Sequence, residues 1–132
     1  MSRRFTLTRR PVALAVCRLP PDAAEPAWAR AGLFASVTRT PAELSIVCDH
    51  TAAAAAPPTE GLRVDGPWAV FEVQGPFAFD VTGVVADLAR PLAEAGVGLF
   101  VLSTFDTDWI LVKQENATAA ADAWRAAGHT VG

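Results

Sequence analysis

The order of apolar and polar positions in the second half of the chain predicts alternating strands and helices. Three short runs, at residues 68–74, 97–103 and 109–114, are rich in Val, aromatic and other strand-forming residues. Residues 82–95 repeat their apolar positions at helical spacing, and residues 117–127 form an alanine-rich stretch that ends at a glycine. With a short strand at 129–131, the predicted order is β-α-β-β-α-β.

Pro91 lies inside the first of these predicted helices. A proline removes one backbone hydrogen bond and crowds the preceding turn. We therefore expect a kink near Asp87, or a helix split in two.

The first half repeats this order in a weaker form. Gly32-Leu33-Phe34 matches Gly98-Leu99-Phe100, and the apolar, turn and alanine-rich segments that follow keep the same offset of 66 residues. The predicted elements are a strand at 12–19, a truncated helix at 26–31, strands at 33–38 and 44–48, and a helix at 51–56. Pro57-Pro58 ends the last helix, so residues 57–61 form the predicted boundary between the halves.

These patterns predict an α+β protein made of two tandem ferredoxin-like modules. Each module would be an antiparallel sheet with its helices on one face, the first at residues 1–62 and the second at residues 63–132. The segment after the boundary can close the first sheet and open the second, so the modules need not separate cleanly.

Composition narrows the class of protein. The hydrophobic content of 52% excludes a disordered chain. The length of 132 residues leaves no room for a separate catalytic domain. A formal net charge of −3 disfavours a nucleic-acid-binding protein, and two cysteines are too few for a disulfide scaffold. No apolar run approaches the roughly 20 residues of a membrane span. The apolar stretch after Arg3-Arg4 is too short for an export signal, so we expect a cytoplasmic protein.

Two segments of the second half carry candidate binding chemistry. Residues 80–85 open the predicted helix, where unpaired amides near Gly83 and Val84 favour a carboxylate or phosphate. Residues 103–108 form a hairpin with hydroxyls and two carboxylates, Asp106 and Asp108, which suit an ammonium group. A site that attracts a negative charge at one end and a positive charge at the other fits an α-amino acid.

Simpler interpretations stay open. The same two segments could be an ordinary helix start and a polar turn whose side chains satisfy local backbone groups. Asp106 and Asp108 have no third ligand at a recognisable spacing, so we expect no metal site. Cys48 and His50 could share a face as a reactive pair, but a cysteine in an apolar strand is more often a buried hydrophobe.

The chain resembles the ACT domain family in the residues that follow the predicted boundary. The resemblance covers roughly residues 65–130 and is carried by the segments 68–77, 82–96 and 103–112, above all by Ser103-Thr-Phe-Asp-Thr-Asp108. It is most similar to the subfamily of the CASTOR arginine sensors and of small stand-alone bacterial proteins. The first half departs from this pattern, because residues 38–43 lack the aspartates, and it resembles a degenerate partner module.

The resemblance implies regulatory binding of an amino acid at an interface between ACT modules, without catalysis and without a cofactor. It places ligand-binding residues at Asp80, Thr82, Gly83, Val84, Ser103, Thr104, Phe105, Asp106 and Asp108. It also implies a homodimer, because ACT sheets commonly pair edge to edge. The alternative function is a protein-interaction adaptor with a vestigial pocket, and an RNA-binding sheet is disfavoured by the acidic charge.

Overall fold

The computed structural model describes residues 3–77 and 82–132. Its strands and helices are β1 (Thr6–Leu19), β2 (Ser36–Arg39), β3 (Leu44–Asp49), α1 (His50–Ala54), β4 (Arg63–Val73), α2 (Val84–Glu94), β5 (Phe100–Ser103), β6 (Asp108–Lys113), α3 (Ala117–Ala126) and β7 (Thr130–Val131). A single 3₁₀ turn, Gln114–Asn116, leads into α3. Within the described ranges, no helix is long and apolar enough to cross a membrane.

The chain divides into two compact units. Unit 1 combines the chain up to Pro11 with Ala69–Gly132, and unit 2 is Val12–Trp68. The division therefore falls inside β1 and inside β4, and each of these strands contributes residues to both units. A single boundary near residue 62 does not describe this arrangement, because the start of the chain belongs with its second half.

Unit 1 has the strand order β7-β1-β4-β6-β5. β5 and β6 are antiparallel, with Ser103 opposite Asp108, and β7 is parallel to the start of β1, with Leu7 opposite Val131. The predicted element order from β4 to β7 is confirmed. In a ferredoxin-like unit the closing strand would lie beside the opening one; here the start of β1 lies between β7 and β4.

Both helices of unit 1 pack on one face of its strands. Alternate residues of β4 share a buried cluster with the apolar stripes of α2 and α3. Trp124 is fully buried at the centre, where its ring meets Phe71 edge to face at 4.9 Å and its Nε1 donates to the carbonyl of Leu88 at 2.9 Å. This core fixes the start of α2 above the sheet, next to the β5–β6 hairpin.

Unit 2 has the strand order β2-β3-β1-β4, with β3 antiparallel to both β1 and β2. The helix predicted at 26–31 is wrong: residues 27–30 form turns, with the amide of Ala29 bonded to the carbonyl of Pro26. Six residues that begin with a proline give too few intrahelical bonds to offset the cost of nucleating a helix. Unit 2 therefore keeps the strand order but lacks the first helix.

Several element boundaries also differ from the prediction. β1 begins at Thr6, six residues early, because its first segment pairs with β7 and carries polar side chains that hide the strand pattern. β2 and β5 begin at Ser36 and Phe100, three residues late in each case. Corresponding strands start at residues 36 and 100, and at 44 and 108, so the structural offset is 64 residues rather than 66.

Pro91 does not split α2, which runs without interruption from Val84 to Glu94. Proline leaves the carbonyl of Asp87 without its intrahelical donor. The imidazole of His129 hydrogen-bonds to that backbone carbonyl, while its Nδ1 accepts from the amide of Phe5 at 3.0 Å. His129 therefore lies beside the turn of α2 that contains Pro91.

Candidate functional site

A cavity of about 340 Å³ opens in unit 1 between the start of α2 and the β5–β6 hairpin. Seven of the nine predicted site residues line it: Gly83, Val84, Ser103, Thr104, Phe105, Asp106 and Asp108. Thr82 is exposed beside the cavity without lining it, and Asp80 lies outside the described residues. Both walls of the cavity come from the same unit.

The helix wall is the first turn of α2. Gly83 precedes the helix in the left-handed conformation, with φ +82°, and its carbonyl accepts the amide of Asp87 at 2.8 Å. Glycine contributes no capping side chain, so the amides of this first turn have no side-chain acceptor from the N-cap residue. The exposed Val85 and Ala86 complete this wall, which presents the positive end of the helix dipole.

The hairpin wall is held by a set of short polar contacts. The hydroxyl of Ser103 donates to Asp108 Oδ1 at 2.6 Å, and the amide and hydroxyl of Thr104 both donate to the carbonyl of Thr107, at 2.8 and 3.0 Å. The buried hydroxyl of Thr107 donates to the carbonyl of Val73 at 2.5 Å, which ties the turn to the end of β4. The hairpin is therefore a preformed wall of fixed shape.

The two carboxylates of the hairpin differ in their surroundings. Asp108 is half-buried and already accepts the Ser103 hydroxyl, whereas Asp106 is exposed, and its backbone carbonyl accepts the amide of Phe77 at 2.8 Å. Phe105 stands at the rim with 76% of its surface exposed. The cavity thus has a positive helix end on one side and two negative side chains on the other.

Four lining residues escaped the sequence analysis: Phe77, Val85, Ala86 and Thr107. Val85 and Ala86 lie in the predicted helix and Thr107 in the predicted hairpin. The neighbouring candidate residues were therefore the indication that these three could line a site. Nothing in the sequence links Phe77 to the hairpin, because the contact depends on how the chain leaves β4.

Arg3 is a further residue that the sequence analysis did not connect to this region. Its guanidinium forms an ion pair with Asp87 at 3.1 Å and donates through Nη2 to the carbonyl of Thr82 at 2.5 Å. A Cβ on Gly83 would lie 2.5 Å from that same nitrogen. The positive φ favours glycine at this position, and a Cβ would also displace the flexible end of the Arg3 side chain.

The thiols do not form a second candidate site. Burial raises the pKa of the Cys17 thiol to about 12, with a smaller contribution from Cys48, and burial also raises the pKa of Cys48. Both thiols are therefore protonated at neutral pH and behave as buried hydrophobic groups. In the part of the chain that the structure describes, no three His, Cys, Asp or Glu side chains come together as a metal site.

The structure defines an α+β domain with a cavity between a helix start and a polar hairpin, and comparison with known proteins specifies the family. The family model described as ACT domain matches residues 63–125. A second family model, for an N-terminal domain, matches residues 13–53. Residues 63–125 therefore match the ACT domain family, as the resemblance in the sequence predicted.

Its curated relatives include cytosolic arginine sensors. The cytosolic arginine sensor for mTORC1 subunit 1 of Bos taurus is 35% identical over 89 residues, which is 63% of this chain and 27% of that protein. The chain therefore spans about a quarter of the length of the arginine sensors it matches.

Solved structures match along nearly the whole chain. A protein of Agrobacterium tumefaciens is 42% identical, with a TM-score of 0.86 over 98% of this chain and 93% of the other. The ligand-free regulatory subunit of aspartate kinase from Thermus thermophilus is 16% identical, with a TM-score of 0.63 over 89% of this chain and 93% of the other, and shows the shared fold alone.

Proposed function

We propose that this chain is a non-catalytic regulatory module that binds an α-amino acid, with L-arginine as the first candidate, in the cavity between α2 and the β5–β6 hairpin. The observation that carries the proposal is the opposition of a helix start to two aspartates across one preformed cavity. Its volume of about 340 Å³ lies at the lower end of the range for small-molecule sites. The site is suited to a compact ligand that carries both charges.

The helix wall supports binding of the α-carboxylate. The first turn of α2 supplies amides that the N-cap glycine leaves without a side-chain acceptor, together with the positive end of the helix dipole. Because Gly83 has no side chain, a carboxylate can approach the backbone closely. The α-carboxylate of the ligand would therefore lie beside Gly83 and Val84.

The hairpin wall supports binding of the positive end. Asp106 and Asp108 line the cavity on the hairpin wall, together with Ser103 and Thr104. A carboxylate can accept two parallel hydrogen bonds from a guanidinium. This chemistry favours a basic amino acid, and the name of the bovine relative, an arginine sensor, makes arginine the first ligand to test.

A regulatory role requires the bound state to change an interaction. In the described part of the chain, β5 is the last strand of unit 1 in the strand order, which makes it a candidate to pair with a strand of a second copy. We propose that a homodimer forms through this edge and that ligand binding changes its stability. Analytical ultracentrifugation with and without L-arginine tests this step, and a monomer at all concentrations would contradict it.

Thermal-shift measurements with the twenty amino acids test the ligand proposal. A ligand present at 100 times its dissociation constant adds about 2.7 kcal/mol of stability, so binding should raise the melting temperature clearly. We expect L-arginine to give the largest shift, and a D106N/D108N double variant to lose it. A folded protein that responds to none of the twenty would contradict the proposal.

The alternative function, an adaptor with a vestigial pocket, predicts a different result. A stable protein partner would remain bound when Gly83 and Asp108 are substituted, because an adaptor does not use the cavity. Leu33 has 88% of its surface exposed. A single exposed apolar side chain is common on protein surfaces and does not by itself indicate a docking site.

A further inference from the structure

The N-terminal segment carries an arginine that is fixed at the start of α2. The guanidinium of Arg3 contacts Asp87 and Thr82 as described, and its central carbon lies 5.4 Å from the centroid of the Phe5 ring. Three different groups thus hold one cation in place. An arginine held in this way loses little further freedom when an anion approaches.

The position of this cation is unfavourable for the helix by itself. The N-terminus of a helix carries a partial positive charge, which a cation opposes and an anion complements. The carboxylate of Asp87 offsets one part of this cost. Among the residues that the structure describes, Nη1 of Arg3 has no hydrogen-bond partner. Among the described residues, the helix start therefore combines two positive sources with the carboxylate of Asp87.

Arg3 lies next to Gly83 but outside the lining of the cavity. The guanidinium occupies the space where a Cβ of Gly83 would be, and Arg3 does not line the cavity itself. It can act on a ligand in two ways: it holds the carbonyl of Thr82 and so fixes the left-handed turn at Gly83, and it adds a positive charge behind the amides.

We propose that Arg3 is a positioning residue that makes the cavity select ligands with a free α-carboxylate. The inference rests on the proposed amino-acid site and assigns the selectivity for the carboxylate end to a residue outside the cavity lining. Removal of the charge should weaken binding of a carboxylate more than binding of the neutral amide that replaces it.

Arg4 provides a matched control. It is the next residue, carries the same charge and is exposed, but it lies near Gly128 rather than at the start of α2. An R4Q variant removes one positive charge from the same segment without touching Thr82 or Asp87. Any effect of overall charge should therefore be shared by the two variants.

The experiment is isothermal titration of wild type, R3Q, R3K and R4Q with L-arginine and with L-argininamide. We expect wild type and R4Q to prefer L-arginine by the same ratio, and R3Q to reduce that ratio about three- to tenfold, as a screened charge at this range would. R3K keeps the charge and should recover part of the ratio. Circular dichroism verifies that each variant is folded.

The outcomes separate the two proposals. If R3Q binds both ligands more weakly by the same factor, or if R4Q changes the ratio as much as R3Q, Arg3 has no role in selectivity and the inference is wrong. If folded wild type binds neither ligand, the proposed site for a basic amino acid is wrong, and the role of Arg3 is rejected with it.

Discussion

The β5–β6 hairpin of unit 1 and the β2–β3 hairpin of unit 2 have the same turn but different chemistry. In each, the amide of a threonine, Thr104 or Thr40, donates to the carbonyl three residues later, at 2.8 and 2.9 Å. Ser103 pairs with Asp108 in one register, and Arg39 with Leu44 in the other. The shared turn satisfies the backbone, whereas the aspartates of unit 1 are not needed for it.

The segments that precede these two hairpins along the chain also differ between the units. Unit 1 has α2, an eleven-residue helix with an open first turn, and unit 2 has only turns at residues 27–30. Unit 2 therefore folds without the features that build the cavity in unit 1. We infer from this comparison that unit 1 carries these features for the proposed ligand binding rather than for folding.

The largest effect should come from the core of unit 1. Trp124→Ala removes a fully buried ring and its hydrogen bond, so it should lower the free energy of unfolding by about 3–5 kcal/mol. The matched change in unit 2, Ile46→Val, removes one methyl from a buried site and should cost about 0.5–1.5 kcal/mol. Urea denaturation measures the free energy of unfolding of both variants. Equal losses would contradict the central packing role assigned to Trp124.

A glycine series should give the next effect. Gly83→Ala meets both a positive φ and Arg3, and should cost about 2 kcal/mol of stability as well as ligand affinity. Gly96→Ala meets the positive φ alone, with open space around it, and should cost about 1 kcal/mol. Gly98→Ala meets neither and should be close to neutral. The series fails if Gly83→Ala and Gly98→Ala melt at the same temperature.

The aspartates should affect binding more than stability. Asp108→Asn removes the charge next to Ser103 and should weaken L-arginine binding about tenfold, about 1.4 kcal/mol. Glu43→Gln in the corresponding hairpin of unit 2 should leave the affinity unchanged. Titration calorimetry measures both, and an equal loss in the two variants would show that the effect is one of net charge.

The smallest effect should be a pH dependence from His129. Burial lowers the pKa of this imidazole below 6.5, and Asp87 opposes the shift. Because the unfolded chain then binds the proton more readily, stability should be complete above about pH 6.5 and should fall as the pH drops toward the lower native pKa. Thermal melts from pH 7 to 5 should show a steeper loss for wild type than for His129→Gln. Parallel slopes would contradict this assignment.

Hydrophobic periodicity and turn residues were sufficient to predict most of the helices and strands of unit 1. The apolar spacing in α2 and the valine-rich strands reflect burial of one face, which a single sequence records directly. The helix start and the hairpin could be identified from their glycine, hydroxyl and carboxylate residues, although an ordinary helix start and a polar turn use the same residue types. The cavity residues that followed from these segments lie together in the structure.

What the sequence could not indicate depends on partners that are distant along the chain. The first segment of β1 is a strand because β7 pairs with it, although Arg9 and Arg10 interrupt its apolar pattern. His129, 38 residues further along the chain, lies beside the turn of α2 that contains Pro91. Arg3 reaches Thr82 across 79 residues. Local pattern carries no information about such contacts.

The central claim is that the cavity of unit 1, and no equivalent region of unit 2, takes an amino acid. A titration of ¹⁵N-labelled protein with L-arginine, followed by backbone amide chemical shifts, tests it most directly. We predict saturable shifts concentrated at residues 83–86 and 103–108, with residues 38–43 unchanged. Saturable shifts at residues 38–43 without any at 83–86, or no shifts at all in folded protein, would contradict the account.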